Sequence, residues 1–197
     1  VGMVFGSKDP HLRKQCDDIL ESAIEHYGMQ MLGWRDVPYK NDCLGKLALS
    51  AEPTIKQIFA ACPADCKPVE FERGLFMARR RAERIVSEKF GTAGEDFYVT
   101  SLSSKTICYK GMFMAWQLFA YYPDLSDERL KSCLCVVHQR YSTNTLPNWR
   151  LAQPFRCIAH NGEINTLNGN RNCMRIRERT MVSDVFGENL PDLLPVV

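Results

Sequence analysis

Apolar residues along the first ninety positions switch between two spacings, and each switch marks a predicted element. Residues 1–5 form a short apolar run that reads as a strand already under way. Asp9 and Pro10 then supply an N-cap and a proline at the first helical position. Leu12, Cys16, Ile19, Leu20, Ala23, Ile24 and Tyr27 fall on one helical face, and Gly28 closes the helix. Residues 29–37 predict a strand ended by Pro38, and residues 39–50 lack a pattern and read as loop. Ile55, Ile58 and Phe59 mark a loop end or a short strand, and residues 62–68 a turn. Phe71, Leu75, Ala78, Ala82, Ile85 and Val86 carry helical spacing and predict a second helix over 71–88.

The second half is more broken. Residues 97–102 and 106–109 predict a hairpin joined through Ser103, Ser104 and Lys105. Residues 111–122 predict a helix whose Met112, Phe113, Trp116, Leu118 and Phe119 read as core, with Pro123 as its stop and a short turn over 127–131. Two apolar runs, 134–137 and 157–159, read as buried strands. Between them Asn144, Pro147, Asn148, Trp149 and Pro154 describe a loop. After Gly162 the spacing turns helical again, with Leu167, Met174 and Ile176 among many polar residues, as on an exposed helix. The order of elements is that of an α+β domain.

Composition narrows the function classes. With 197 residues and 45% apolar content, the chain suffices for one sizeable domain. The net charge is +2, from 25 basic and 23 acidic residues, which argues against a dedicated nucleic-acid or membrane surface. Arg79, Arg80, Arg81 and Arg84 have no interleaved aromatic platform and read as a solvated helix face with Glu83 and Glu88 among their partners. Nine cysteines without framework spacing read as reduced thiols of an intracellular protein. The close pairs Cys62/Cys66 and Cys133/Cys135 have no histidine at zinc-binding spacing, so no metal is expected. No run is long enough to span a membrane, and no signal peptide opens the chain. The opening strand, the absence of methionine at position 1 and the apolar last residues are what a piece of a longer chain is expected to show.

The chemistry concentrates between 138 and 170. Arg140 follows one predicted strand and offers a planar fork suited to a carboxylate. Asn161 and Gly162 follow the other: a side-chain amide, and a backbone N–H with no Cβ to keep a ligand away. A fork for a carboxylate and two donors for a developing oxyanion are the parts a glutamine-hydrolysing site needs. His138 and His160 read as structural.

The words around these residues are specific. His-Gln-Arg-Tyr-Ser-Thr-Asn-Thr at 138–145, Ala-Gln-Pro-Phe-Arg at 152–156 and His-Asn-Gly-Glu-Ile-Asn-Thr at 160–166 resemble the class II glutamine amidotransferase domain of glutamate synthase large subunits. Looser likeness extends through 33–38, 101–103 and 109–112, so it covers nearly the whole chain. The resemblance implies an N-terminal nucleophile hydrolase fold, a four-layer αββα sandwich, incomplete at both ends over 1–197. It implies that Arg140 binds the glutamine α-carboxylate and that Asn161 and Gly162 form the oxyanion hole. Thr143 and Asn144 would line the glutamine pocket, and residues 141–149 would be the loop that closes over it. The family's nucleophile is an amino-terminal cysteine whose own α-amine is the base. Residue 1 here is Val1, so the resemblance puts that cysteine ahead of it, and the aspartate that grips the glutamine amine beyond Val197. Ammonia released from L-glutamine would pass to synthase domains of the same chain, where FMN and an iron–sulfur cluster serve the conversion of 2-oxoglutarate to glutamate. A small electron-transfer subunit or ferredoxin would be the redox partner. Another class II amidotransferase, or an inactive glutamine-binding module, stays open as an alternative.

Overall fold

The computed structural model describes residues 1–141, 145–156, 158–160, 162 and 166–196. Strands β1 (Gly2–Gly6), β2 (Gln30–Asp36), β3 (Thr54–Ala61) and β4 (Tyr98–Leu102) form an antiparallel sheet in the order β2-β3-β1-β4. Helices α1 (Pro10–His26) and α3 (Pro68–Phe90) cover one face, and a short helix α2 (Lys46–Ser50) lies between β2 and β3.

The strong periodic segments folded as read. The Asp9 carboxylate accepts the His11 N–H at 2.9 Å, Pro10 opens α1, and Gly28 takes the left-handed φ of +74° that ends it. Glu70 accepts the Lys67 N–H at 3.2 Å at the start of α3, and Gly91 at φ +53° stops it. β1 is buried along its whole length because it is interior to the sheet and covered on both faces. Val4 joins Ile58, Val99, Leu20, Ile24, Leu75 and Ala82 beneath the helices. Met3 and Phe5 point the other way, to Ile55, Val37, Tyr121, Tyr122 and Trp149. Each large side chain fully removed from water here contributes roughly 1.5–3 kcal/mol by transfer.

Of the two readings of the segment around Ile55 and Ile58, the strand holds: it is eight residues long and lies between β1 and β2. Four readings change. Residues 106–109 are not the second arm of a hairpin; they run beside β4 through side chains, Thr100 Oγ1 donating to Cys108 O and the Cys108 N–H to Ser101 Oγ. The helix expected over 111–122 shrinks to a 3₁₀ turn at Ala115–Gln117 and α4 (Leu118–Tyr121). At Gly111 a Cβ would come within 2.5 Å of the Trp149 ring, so this stretch is set by close packing rather than by helix propensity. Tyr121 and Tyr122 fill the core while Trp116 and Phe119 lie exposed, so only part of the aromatic stripe is core. Residues 134–137 are not a strand: Leu134 is 80% exposed, and no described neighbour supplies ladder bonds. Of the run 157–159, Ile158 makes a single antiparallel bridge to Phe155 and is exposed, and Cys157 lies outside the described residues.

The arginine face of α3 is also not simply solvated. Arg79 is buried and donates to Glu83 at 2.7 Å, and Arg84 pairs with Glu88, as the sequence suggested. But Arg81 and Arg84 also converge on Asp192 at 2.8 and 2.6 Å, and Tyr27 donates to the same carboxylate at 2.5 Å. Arg80 donates to the carbonyls of Leu193 and Pro195. The helix thus clasps the 3₁₀ segment Gly187–Leu193, which follows the exposed α5 (Asn168–Glu178). Burial raises the Asp192 carboxyl, but hydrogen bonds from Tyr27, Arg81 and Arg84 outweigh it and hold the group below its ordinary value. A depressed carboxylate pKa stabilises the fold fully above the unfolded value near 4 and loses that contribution as pH falls through the lowered value. Asp192→Asn is therefore expected to cost about 1–3 kcal/mol at neutral pH and to flatten the acid limb of a stability-versus-pH curve. Thermal melts across pH check both; an unchanged midpoint at neutral pH would remove the clasp from the stability account.

Candidate functional site

Arg140 is exposed, and among the described residues its guanidinium has no hydrogen-bond or ion-pair partner. Its own N–H points back to His138 Nδ1 at 3.4 Å. The same arrangement recurs at the other end of the site, where the Gly162 N–H donates to His160 Nδ1 at 3.1 Å. In both places a histidine two residues upstream serves the backbone of the functional position.

The loop between these ends is anchored at its base. Tyr141 Oη donates to Asn148 O at 2.9 Å, and the Leu151 N–H donates to Asn148 Oδ1 at 2.9 Å. Trp149 is buried: its indole N–H reaches Ala48 O at 3.0 Å, and its ring meets Phe5 edge-on with centroids 5.9 Å apart. Trp149 thus pins the carboxyl-terminal side of this loop to the core on the sheet's second face.

Beyond Trp149 the chain is held by Lys110. This residue is 2% exposed, and its ammonium donates to Arg150 O and Ala152 O, both at 2.8 Å, with Tyr98 Oη at 3.4 Å. It also lies over the rings of Tyr98 at 4.6 Å and Phe155 at 5.3 Å. Burial pushes its pKa down to about 8, and among the described residues no carboxylate pairs with it. Gln153 comes next. Its Nε2 donates to His160 O at 3.1 Å and its Oε1 accepts the His160 N–H at 2.9 Å. Phe155 and Ile158 exchange backbone bonds of 2.7 and 2.9 Å within the same hairpin.

Of the residues expected at the site, Arg140 and Gly162 are described, whereas Thr143, Asn144 and Asn161 lie outside the described residues. No hydrogen bond or ion pair among the described residues joins Arg140 to Gly162. Cavities of about 410 and 250 Å³ lie between α1 and α3 and beside Tyr98, Arg150 and Arg156, and neither is lined by Arg140 or Gly162. Among the described residues there is no cluster of histidine, cysteine or carboxylate side chains able to hold a metal, and no helix long and apolar enough to cross a membrane. No disulfide joins the eight described cysteines. Neither Lys110 nor Gln153 stands out in the sequence as a site residue; the available signal is their place in the 109–112 stretch and the Ala-Gln-Pro-Phe-Arg block at 152–156.

Comparison with known proteins converges on the same chemistry. The family model for class II glutamine amidotransferases matches residues 1–197. The glutamate synthase (NADPH) large chains of Azospirillum brasilense and Bacillus subtilis (strain 168) are 46% and 45% identical over the whole chain. A chloroplastic ferredoxin-dependent glutamate synthase of Arabidopsis thaliana is 40% identical over the whole chain. The chain spans 13%, 13% and 12% of the length of these three relatives. With the family match running through every residue, including both ends of the site strip, the chain belongs to the class II glutamine amidotransferases.

Proposed function

We propose that residues 1–197 are part of the glutaminase domain of a glutamate synthase, which hydrolyses L-glutamine to glutamate and ammonia. The observation that carries this reading is the family match over the whole chain, a span that includes Arg140, Asn161 and Gly162. Arg140 suits the substrate carboxylate because its guanidinium is exposed and uncommitted among the described residues. Thr143 and Asn144 complete the pocket wall. Asn161 and Gly162 donate to the oxygen that gains charge when a cysteine thiolate attacks the carboxamide. A substrate oxygen takes the Gly162 N–H in place of His160 Nδ1. The nucleophile is the amino-terminal cysteine of the family; the 197 residues supply the groups around it.

In this reading the sheet belongs to a four-layer αββα sandwich, with α1 and α3 as an outer layer. Ammonia is delivered to 2-oxoglutarate in other domains of the same protein, which hold FMN and an iron–sulfur cluster and receive electrons from a small subunit or ferredoxin. The setting is a reducing compartment, cytoplasm or plastid. The test is product balance in the full-length protein. Glutamine alone should yield glutamate and ammonia in equal amounts. Glutamine with 2-oxoglutarate and a reductant should yield two glutamates per glutamine and no free ammonia. Absence of hydrolysis in both assays would overturn the reading.

A further inference from the structure

We propose that Gln153, seated by Lys110, is a positioning residue for the oxyanion donors at the end of the 160–162 strip; the inference rests on the glutaminase reading above. The Gln153 amide gives and takes one hydrogen bond on the backbone of a single residue, His160. That is what a facing peptide does in an antiparallel pair. The hairpin has one backbone rung, Phe155 with Ile158, and the Gln153 side chain adds a second on the side of Gly162. Without it, among the described residues, the strip keeps the rung behind Ile158 and the bond to the His160 ring.

Gln153 can act as a rung only if its own backbone is fixed, and Lys110 fixes it. The ammonium grips the carbonyls on either side of residue 151, directly before Gln153. A buried charge with no described carboxylate partner is unfavourable for stability, and an apolar residue would pack more cheaply. What an ammonium adds is several donors on one atom, enough to hold two carbonyls at once. Lys110 is itself tied down. Its carbonyl accepts from Tyr122 Oη at 2.9 Å, and Cys108 bonds through its backbone to Thr100 and Ser101 of β4 and through its thiol to Pro154 O. The bonds therefore run unbroken from β4 through Lys110 and Gln153 to Gly162. Neither side chain need touch substrate.

The experiment uses the full-length enzyme and reads kcat and KM for glutamine hydrolysis, glutamate synthesis from free ammonia, and the melting midpoint. Gln153→Ala should lower kcat for hydrolysis about 10- to 100-fold, because a donor displaced by about 1 Å weakens transition-state contact more than substrate contact. KM should stay within about twofold, and ammonia-dependent synthesis should be unchanged. Gln153→Glu keeps the acceptor for the His160 N–H and loses the donor to His160 O, so it should fall between. Lys110→Met should lower kcat in the same sense; if it fails to fold, the two Gln153 variants decide. Unchanged kcat in a folded Gln153→Ala enzyme, or equal loss of hydrolysis and ammonia-dependent synthesis, overturns the proposal. Asn161→Ala run in parallel separates the levels. If it loses hydrolysis and Gln153→Ala does not, only the positioning role falls. If the unaltered enzyme does not hydrolyse glutamine, the functional reading falls and takes this inference with it.

Discussion

Asn161→Ala in the full-length enzyme is expected to lower glutamine turnover by about 10² to 10³, with little change in KM. The substitution removes one of the two donors assigned to the oxyanion. A donor of this kind bonds weakly to the neutral carboxamide oxygen and strongly to the charged oxygen of the tetrahedral intermediate, so its loss falls on kcat. The expected loss corresponds to about 2.7–4 kcal/mol of transition-state stabilisation. Gly162 contributes through its backbone and keeps its N–H in this variant, which is why activity falls without vanishing. Steady-state kinetics of glutamate release from glutamine is the measurement. Turnover equal to that of the unaltered enzyme would take Asn161 out of the oxyanion hole.

The second large effect is expected at Arg140. Arg140→Lys keeps the positive charge and loses the planar fork that meets both oxygens of a carboxylate. A lost hydrogen bond to a charged group is worth about 1.5–3 kcal/mol, so KM for glutamine should rise roughly 10- to 100-fold. Glutamate synthesis from free ammonia should survive, since that reaction bypasses the glutamine pocket. The structure sharpens the test. Arg140 is exposed and its guanidinium has no partner among the described residues, so the substitution breaks no ion pair among them and the melting midpoint should not move. A rise in KM at constant stability isolates substrate binding; constant KM would assign Arg140 to a structural role.

The parts of the fold legible in the sequence are those whose forces are local. Asp9, Pro10 and Gly28 punctuate α1 within a turn of its ends, and the apolar spacing of α1 and α3 repeats often enough to fix their buried faces. Elements decided by distant partners were misread. Residues 134–137 have the composition of a strand, but a strand exists only where a neighbour completes its ladder, and none among the described residues does. Residues 111–122 have apolar helical spacing, yet the close approach of Gly111 to Trp149 and the burial of Tyr121 and Tyr122 override it. The Asp192 clasp joins residues more than a hundred positions apart, and no window of sequence displays it. At the site, the motif words identified Arg140, Asn161 and Gly162 as the residues to propose. They do not show what the Lys110 and Gln153 side chains hold, because those side chains bond to backbone groups of Arg150, Ala152 and His160, which carry no residue-type signature.

The position of β1 in the sheet sets a timetable for biosynthesis. Gly2 pairs with Ile58 on one side and with Leu102 on the other. A nascent chain therefore makes β1 first among these strands and can enclose it only after β4 has been translated and has cleared the exit tunnel. At about 5–20 residues per second, the roughly hundred residues between them take on the order of 5–20 s to synthesise. Until β3 and then β4 emerge, Met3, Val4 and Phe5 lack the strand partners they have in the finished sheet, and the waiting segment is the kind of apolar strand that molecular chaperones shield. A ribosome-bound chain with all of β4 outside the tunnel should resist protease at β1, and one stalled before Tyr98 should be cut there.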